Sequence, residues 1–450
     1  MVYAGWLQYA DTEIISNART AALSGTLGGP RVQCSCGELQ AALGESDEEY
    51  GDITNAPWYD LNTPESKDFF GLLGTSITGA TDSTSERQWT ELLTDGGVGG
   101  TARAASRELE YEVTALAASE SGLSYGVAWL AAALGGTCQP GCRGEDLCAF
   151  TACPTRPTLG GDACTGTTGA PDPDWDPIAA GDRLQRQLLD VHLLEGPTVS
   201  ERHHVQSGWI VNLTFTLKAG NPFWWRLPNL AVDTGADDLP PHWTDEVEDF
   251  DILASARCPQ PVDCLDDNPY CTGQDSPFGD EPFPGSDPND PTSLLDPCYP
   301  IEPFTARRWI YNLGVEPLAP DWFDKAPILT FFSGSRPMHR LTVRWYTNPR
   351  NSRPDGQLDP CHACAELTVP WIPAHTTLTI DGRTRRAYVN CRGAGRMTSD
   401  VTLYGAKAAA YGWPTFGCTM PLQVEVIARS STLARDSQYQ LHMAPREEAC

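Results

Sequence analysis

The chain has 450 residues, of which 40% are hydrophobic and 20% are charged. Glycine (41 residues) and proline (37) are abundant, which favours many short strands joined by turns over long helices. The formal net charge of −28 disfavours binding to nucleic acids and to anionic membrane surfaces, because both attract lysine and arginine.

The hydrophobic runs and the cysteines indicate in which compartment the protein is made and located. No run approaches the ~20 apolar residues of a membrane helix. The start, MVYAGWLQYADTEI, lacks the basic and apolar regions of a secretory signal, so we expect synthesis in a cytoplasm without membrane insertion. Stable disulfides are rare in reducing compartments, yet the chain has 16 cysteines. Assembly into a particle released by lysis would reconcile these facts, and zinc binding is the alternative.

The clearest N-terminal pattern is an alternation over residues 107–115. Leu, Tyr, Val and Ala occupy one set of alternate positions, and three glutamates lie between them. A period of two predicts a half-buried strand. RQWTELL (87–93) is predicted as its partner strand, and the glycines of DGGVGG (95–100) suit the tip of a flexible hairpin.

One helix is predicted directly after this strand, with few elsewhere. Its apolar positions recur at helical spacing and are Leu123, Val127, Leu130 and Leu134. Ser119 is a candidate N-cap, and Gly135-Gly136 would end the helix.

The remainder of the N-terminal domain contains a cysteine-rich insertion at about 136–180. Strands resume at 183–194, and a strong alternating pattern follows at 209–217. We place the end of this β domain, 1–230, after NPFWWRLP.

Residues 231–300 differ in composition. They contain 17 acidic residues against one arginine, a net charge of −16, and 12 of the 37 prolines. Self-repulsion and the missing proline N–H donor both oppose sheet formation, so we predict an acidic, proline-rich connector.

A second β unit, 301–450, is predicted to be a sandwich or jelly roll followed by a C-terminal tail. Strand composition is found in RRWIYNL (307–313), APILTFFSG (326–334), HRLTVRWY (339–346) and LQVEVI (422–427). In TTLTIDGRTRRAYV (376–389), the Asp-Gly pair suits a two-residue hairpin turn. The fold class is therefore mainly β.

Motif-based catalysis finds little support. GLSYG (122–126) matches a hydrolase nucleophile elbow, which needs its serine on a strained turn directly after a buried strand. Polar residues 119–121 intervene, and Ser124 lies within the helical pattern. We predict that Ser124 is a helix-surface residue and that the chain is not an enzyme.

Metal and cofactor motifs are also weak. Asp172, Asp174 and Asp176 imitate a calcium loop, but Pro177 replaces its glycine and Arg183 its bidentate glutamate. The pair His203-His204 is interpreted as an exposed turn, because adjacent strand residues point to opposite faces and do not easily share a metal. No cofactor or metal is predicted.

The cysteines leave three interpretations open. Cys361-His362-Ala363-Cys364 could form disulfides between strands, bind zinc or remain thiols, and disulfides are favoured because no second close pair follows. The candidate structural disulfide residues are Cys138, Cys142, Cys148, Cys153, Cys258, Cys264, Cys271, Cys298, Cys361, Cys364, Cys391 and Cys418.

Ten stretches carry a family resemblance when they are taken in chain order. They are TEIISNARTAAL (12–23), APWYD (56–60), FFGLLGTSITGATDSTSER (69–87), DGGVGG (95–100), AWLAAAL (128–134), LCAFTACP (147–154), NPFWW (221–225), RRWIYNL (307–313), DPCHACAELTVPWIPAHTTLTIDG (359–382) and WPTFGCTMPL (413–422). Together they resemble the minor tail proteins, of distal-tail-protein type, of long-tailed actinobacterial phages. The resemblance covers about 1–228 and 298–430.

This resemblance implies an N-terminal split-barrel-like domain whose copies join into a ring of six. A long hairpin, here around 87–116 with DGGVGG at its tip, would reach a neighbouring copy. The second unit would be a galectin-like sandwich outside the ring. The implied partners are sister copies, the tail tube protein and other tail-tip or baseplate proteins within the virion, with no catalytic residue or cofactor. Strand edges are templates for pairing, and a closed ring removes them.

A carbohydrate- or receptor-binding module of the tail tip is the alternative function, with a host-surface glycan as ligand. Exposed aromatic rings can stack on sugars, and the candidates are Trp224, Trp225, Trp371 and Trp413. Paired aromatics within strand patterns more often belong to a core.

Overall fold

The computed structural model describes most of two regions of the chain. The described residues are 5–29, 36, 38–44, 50–82, 85–91, 97–100, 103–136, 144–150, 152–154, 156, 158–159, 170–171, 173–205, 207–233, 248–251, 305–313, 323–347, 363–391, 397–398, 403–405, 409–417, 422–429, 433–434 and 436–447. Apart from 231–233 and 248–251, the predicted acidic connector lies outside them.

The chain divides into two compact units. Unit 1 comprises Met1–Leu227 with Pro445–Ala449, and unit 2 comprises Pro228–Ala444 with Cys450. Both are built mainly from antiparallel strands, which confirms the predicted mainly β class.

Unit 1 contains mainly strands, with helices between groups of them. Its strands are β1 Trp6–Tyr9, β2 Thr12–Ser16, β3 Phe69–Thr78, β4 Ser85–Glu86, β5 Trp89–Glu91, β6 Gly97–Gly99, β7 Arg103–Ala104, β8 Arg107–Ala117, β9 Glu145–Phe150, β10 Thr158–Leu159, β11 Ala170–Pro171, β12 Gln185–Val205 and β13 Gly208–Ala219. Its α-helices are α1 Asn17–Thr26, α2 Leu39–Ala42, α3 Glu120–Leu134 and α4 Pro177–Leu184, and 3₁₀ turns span Ile53–Asn55 and Pro64–Asp68.

The main sheet of unit 1 has seven strands in the order β2-β1-β9-β12-β13-β8-β3. The alternation in β8 is observed, with Leu109, Tyr111 and Val113 buried and the intervening glutamates exposed. The Tyr111 ring stacks on Phe215 of β13 at 5.1 Å. The predicted partner of β8, residues 87–93, is wrong, however. β3 and β13 flank β8, and β5, which lies in the predicted segment, pairs with β6. β9, within the predicted cysteine-rich insertion, is an inner strand of this sheet.

The two end strands of this sheet are joined by side chains of α1. Asn17, directly after β2, donates to the Gly74 carbonyl of β3 (3.2 Å) and accepts from the Gly74 N–H (2.8 Å). The Thr20 hydroxyl donates to the Leu72 carbonyl at 3.1 Å. The carboxamide thus takes the place of a neighbouring strand at this point of the β3 edge.

The predicted helix is α3. Ser119 caps it, because its hydroxyl accepts from the Gly122 N–H at 3.0 Å. Gly126 faces the sheet, where a Cβ would lie 2.3 Å from the Phe69 ring. α1, α2 and α4 are the further helices of this unit, in line with the prediction of few helices elsewhere. α1 buries Arg19, Thr20 and Ser24, so it lacks an apolar stripe that would predict it.

Unit 2 is a β-sandwich, as predicted. Its strands are β14 Asn229–Asp233, β15 Glu248–Asp251, β16 Thr305–Leu313, β17 Asp324–Phe332, β18 Met338–Tyr346, β19 Ala365–Ile372, β20 Thr376–Asp381, β21 Arg386–Cys391, β22 Met397–Thr398, β23 Leu422–Arg429 and β24 Gln438–Arg446. They form sheets in the orders β14-β24-β17-β20-β21-β22 and β15-β16-β23-β18-β19. One core contains Phe331 and Leu378 of the first sheet with Val343 and Trp345 of the second.

The predicted hairpin at 376–389 forms with a longer turn than expected. Asp381 pairs with Arg386, so four residues connect β20 to β21 and not two. The Asp381 carboxylate accepts from the Arg383 N–H at 2.8 Å and pairs with the Arg383 side chain at 2.9 Å. These bonds stabilise the wider turn in place of the Asp-Gly geometry.

Within the part of the chain that the structure describes, no helix has the length and hydropathy of a membrane span.

Candidate assembly surfaces

A long antiparallel ribbon projects from the β3–β8 pair of unit 1. Beyond the Thr78–Glu110 pair, β4 pairs with β7 and β5 pairs with β6 in nearly the same register. We call the described residues of β4 to β7, which are 85–91, 97–100 and 103–104, the arm. The side chains of 85–91 and 103–104 are exposed, and those of 97–99 are exposed or half-buried. The arm therefore adds almost nothing to the core of its own unit.

The root of the arm is held by a buried arginine. Arg107 is 1% exposed, and its Nε donates to the Pro222 carbonyl at 2.7 Å. Its Nη1 donates to the carbonyls of Gly79 (2.7 Å), Ala80 (3.1 Å) and Asp82 (2.9 Å). Because these acceptors lie where the ribbon leaves the sheet, Arg107 fixes the position from which the arm extends.

One face of the arm presents an aromatic ring beside a cation. Trp89 is 62% exposed, and its indole covers Gly97 and Gly99, where a Cβ would lie 2.3 Å and 2.7 Å from the ring atoms. A Cβ at Gly99 would also approach the Arg87 stem at 3.2 Å, so Arg87 lies on the same face. Gly97 and Gly99, which were predicted to make the hairpin tip flexible, therefore also leave the space in which the Trp89 indole packs.

The far half of β12 is an unoccupied sheet edge. β9 pairs with β12 only up to Val191, whereas β13 pairs with it as far as Val205. Among the described residues, no strand pairs with the outer side of 194–205. Leu194 and Val199 there are 53% and 50% exposed. Such an edge is a template for strand addition.

The predicted histidine turn is part of this edge. His203 and His204 lie within β12, not in a turn, and both are exposed. His203 contacts Glu201 at 3.2 Å, and His204 packs against Trp209 at 4.8 Å. Their separate contacts match the expectation that adjacent strand residues diverge.

An open cleft of about 570 Å³ lies at the β1–β2 hairpin of unit 1. The Glu13 carboxylate in it accepts from Arg19 Nε at 2.7 Å and from Trp6 Nε1 at 3.1 Å. Its remaining lining residues are Gln8, Asp11, Thr12, Leu43, Pro57 and Gln185. We call this the Glu13 cleft. Since Arg19 neutralises one of the two carboxylates, the lining keeps a net negative charge.

A disulfide lies in an apolar cluster that shares Trp6 and Leu43 with the lining of this cleft. Cys36 and Cys153 are bonded, with their Cα atoms 5.7 Å apart. They belong to a small apolar cluster that includes Trp6 and, at its margin, Leu43. Cys36 was not among the candidate cysteines, and its partner is 117 residues away in sequence.

The other candidate cysteines are distributed as follows. Cys148 lies half-buried in β9. Cys364 is a thiol that donates to the Trp345 carbonyl at 2.9 Å, which differs from the predicted disulfide, and burial raises its pKa. The side chain of Cys391 and the residues Cys138, Cys142, Cys258, Cys264, Cys271, Cys298, Cys361 and Cys418 lie outside the described part.

A charge network lies on the five-stranded sheet of unit 2. Glu425 is 2% exposed and accepts from the Tyr346 hydroxyl at 2.8 Å, with Arg344 at 3.5 Å and Arg308 at 3.6 Å. Glu366 pairs with Arg344 at 2.7 Å. Burial, reinforced by the Glu425 charge, raises the pKa of Tyr346 well above its usual value. The paired charges hold neighbouring strands in register.

The candidate sugar-stacking tryptophans separate into buried and exposed rings. Trp224 and Trp225 are 3% and 2% exposed, and Trp413 packs against Tyr411 at 4.9 Å. Trp371 of β19 is 54% exposed. Trp371 is therefore the candidate best placed for stacking.

The remaining motifs have local structural roles. The Ser124 hydroxyl donates to the Glu120 carbonyl on the exposed side of α3, at 3.0 Å. Asp176 caps α4 by accepting from the Ile178 N–H at 2.9 Å. Among the described residues, no group of three or more His, Cys, Asp or Glu side chains is arranged to hold a metal ion.

Comparison with known proteins adds little to this geometry. No protein-family model matches the chain, and no curated protein does. Among solved structures, the chain has a likeness to one described as the SPP1 Dit (gp 19.1) protein, "a Paradigm of Hub Adsorption Apparatus in Gram-positive Infecting Phages". The identity is 10%, the match covers 81% of this chain and 94% of that one, and the TM-score is 0.29. A likeness of that size does not establish a common fold.

Proposed function

We propose that this protein is a structural component of a phage tail tip, and that its copies form a ring between the tail tube and the tip or baseplate. The arm of unit 1 is the observation that carries the proposal. An isolated two-stranded hairpin is at best marginally stable in water, so an arm that buries so little of itself gains stability from a partner. A surface that presents Trp89 beside Arg87 has the residue types of an interface centre.

The open edge of β12 supports the same role. An unpaired edge of this length exposes backbone donors and acceptors, and a closed ring can pair every such edge. The β3 edge contrasts with it, because Asn17 and Thr20 already occupy its backbone groups. A sheet closed on one side and open on the other favours directional, head-to-tail assembly.

The proposed partners are sister copies in a ring of six, the tail tube protein and other tail-tip or baseplate proteins, and the proposed location is the virion. This role needs no catalysis, cofactor or metal.

Sedimentation velocity over a wide concentration range, with negative-stain imaging, tests the proposal. We expect the full chain to associate into closed rings as its concentration rises. A variant in which 83–105 is replaced by a short Gly-Ser turn should remain monomeric while its circular dichroism spectrum stays that of a β protein. A full-length chain that is monomeric at every concentration would refute the proposal.

Glycan binding by unit 2 is the second candidate function, and the exposed Trp371 favours it. The test is a glycan array probed with the full chain and with Trp371→Ala. The matched control is Tyr404→Ala, which removes another exposed aromatic ring of unit 2 and leaves the arm intact. Signal lost only in Trp371→Ala supports a sugar site, and the absence of signal from the unmodified chain counts against it.

A further inference from the structure

The exposed face of the arm combines a flat apolar ring with an unsatisfied positive charge. Trp89 packs one side of its indole on glycine backbone, and the ring remains 62% exposed. The Arg87 guanidinium beside it has no hydrogen-bond or ion-pair partner among the described residues. Tryptophan and arginine are the side chains most enriched at the energetic centres of interfaces.

The Glu13 cleft has the complementary properties. Leu43 and Pro57 supply apolar walls, and the Trp6 ring lies in the lining. Asp11, at the β1–β2 turn, is exposed and has no hydrogen-bond or ion-pair partner among the described residues. Glu13 retains lone pairs beyond its two bonds. The open volume of about 570 Å³ leaves room for an indole ring.

The two surfaces carry opposite charge. Asp11 and Glu13 outweigh Arg19 in the cleft, whereas Arg87 is the cation of the arm face that presents Trp89. Glu91 lies at the far end of that face, so the positive side of the face is the side toward the root. If Arg87 docks at Asp11 and the Trp89 indole against the apolar walls, the opposite charges pair and the apolar groups are buried together.

We infer that the arm of one copy docks in the Glu13 cleft of the next, with Trp89 as its apolar anchor and Arg87 paired with Asp11. The inference rests on the proposed function and names the two surfaces through which copies join. Because the arm and the cleft are different patches, the contact is heterologous, so it propagates head to tail and ends only when a ring closes.

The first test measures self-association of full-length variants by sedimentation velocity. Trp89→Ala should weaken it about thirtyfold, the size of a moderate interface anchor. Arg87→Glu should weaken it at least tenfold at low salt, and less at high salt. Arg103→Glu, on the opposite face of the arm, is the matched control and should leave it within about threefold. Equal effects of the two arginine substitutions would overturn the inference.

The second test exploits the asymmetry of the contact. Trp89→Ala damages the arm and leaves the cleft, whereas Asp11→Arg damages the cleft and leaves the arm. Each variant alone should be largely monomeric, and an equimolar mixture should form dimers, since one intact arm meets one intact cleft. Asp11 has φ 61°, so Asp11→Asn, which tolerates that conformation, shows the loss of charge without backbone strain. A mixture that stays monomeric would refute head-to-tail docking.

The third test maps the contact directly. A photoreactive benzoylphenylalanine at Glu91, on the Trp89 face, should crosslink between copies to residues 6–13, 43 or 57. Crosslinks that map consistently to other segments overturn this inference but leave ring formation standing. A chain that does not self-associate at all overturns both.

Discussion

Arg107 offers the sharpest test of how unit 1 positions its arm. We consider Arg107→Met, which keeps the length and apolar stem of the side chain and removes its donors. Hydrogen bonds from a charged donor contribute about 1.5–3 kcal/mol each. The bond to Pro222 is buried, and the carbonyls of Gly79, Ala80 and Asp82 share the two hydrogens of one nitrogen. The substitution also removes the cost of burying a guanidinium, which offsets part of the loss. We expect a net destabilisation of about 3 kcal/mol.

Amide hydrogen exchange followed by mass spectrometry measures this effect within unit 1. Exchange in peptides from 69–82 and 107–117 should accelerate by roughly a hundredfold, the equivalent of about 3 kcal/mol. Arg202→Met is the matched control, because Arg202 pairs with Glu120 at 3.0 Å while 41% of its side chain is exposed. Exposed pairs contribute about 0–1 kcal/mol, so that variant should exchange nearly as the unmodified chain does.

The reasoning would be refuted if Arg107→Met and Arg202→Met had equal effects. Should the methionine variant fail to fold, Arg107→Lys keeps the charge but concentrates it on one ammonium. It should then retain part of the protection in both peptides, because a lysine cannot reach the two sets of carbonyls at once.

Three further substitutions test the sheet and its helices. Asn17→Ala leaves both backbone groups of Gly74 unpaired and should lower the free energy of unfolding by about 1–3 kcal/mol in urea titrations, with no change if water replaces the carboxamide. Gly126→Ala should destabilise the protein by about 1–3 kcal/mol, because the new Cβ meets the Phe69 ring. Gly25→Ala adds a Cβ with nothing within 4 Å and should stabilise α1 by about 0.5–1 kcal/mol. Calorimetry that shows the same sign for both substitutions would contradict these contacts. Burial raises the pKa of Tyr9 to about 12, above the usual value of about 10. The folded state therefore keeps this proton when the unfolded state has lost it, and the stability of the fold falls as the pH rises from about 10 to about 12. Tyr9→Phe should reduce this fall, measured as denaturation midpoints against pH.

Local periodicity was sufficient where a strand or helix is decided by its own side chains. β8 and β13 alternate because one face is core, and α3 has a capping serine, an apolar stripe and a terminal glycine. The glycines of DGGVGG (95–100) also correctly predicted that a hairpin forms in this part of unit 1. These features depend on residues within one or two turns or pairs of each other, so the sequence displays them directly.

The features that define the candidate surfaces depend instead on contacts distant in sequence. Asn17 reaches Gly74, Arg107 reaches Pro222, and Cys36 bonds Cys153. A polar residue in a weak helical pattern gives no local sign that it will close a sheet edge. The partner of β8 was misassigned for the same reason, since RQWTELL resembles a sheet strand in composition, but its described residues, 87–91, are exposed and lie in the arm.

If copies of unit 1 assemble as proposed, the balance of closed and open strand edges would favour specific association over aggregation. Evolution can blunt a strand edge with a side chain, as Asn17 does on β3, at the cost of making that edge unavailable. The outer half of β12 is not blunted in this way, but Glu201, Arg202 and His203 interrupt its apolar residues with charge and polarity. A generic strand that adds there must match those side chains as well as the backbone, whereas a sister copy meets the same pattern every time. On the proposed function, this edge is a further surface that a sister copy can pair with, in addition to the inferred contact between the arm and the Glu13 cleft.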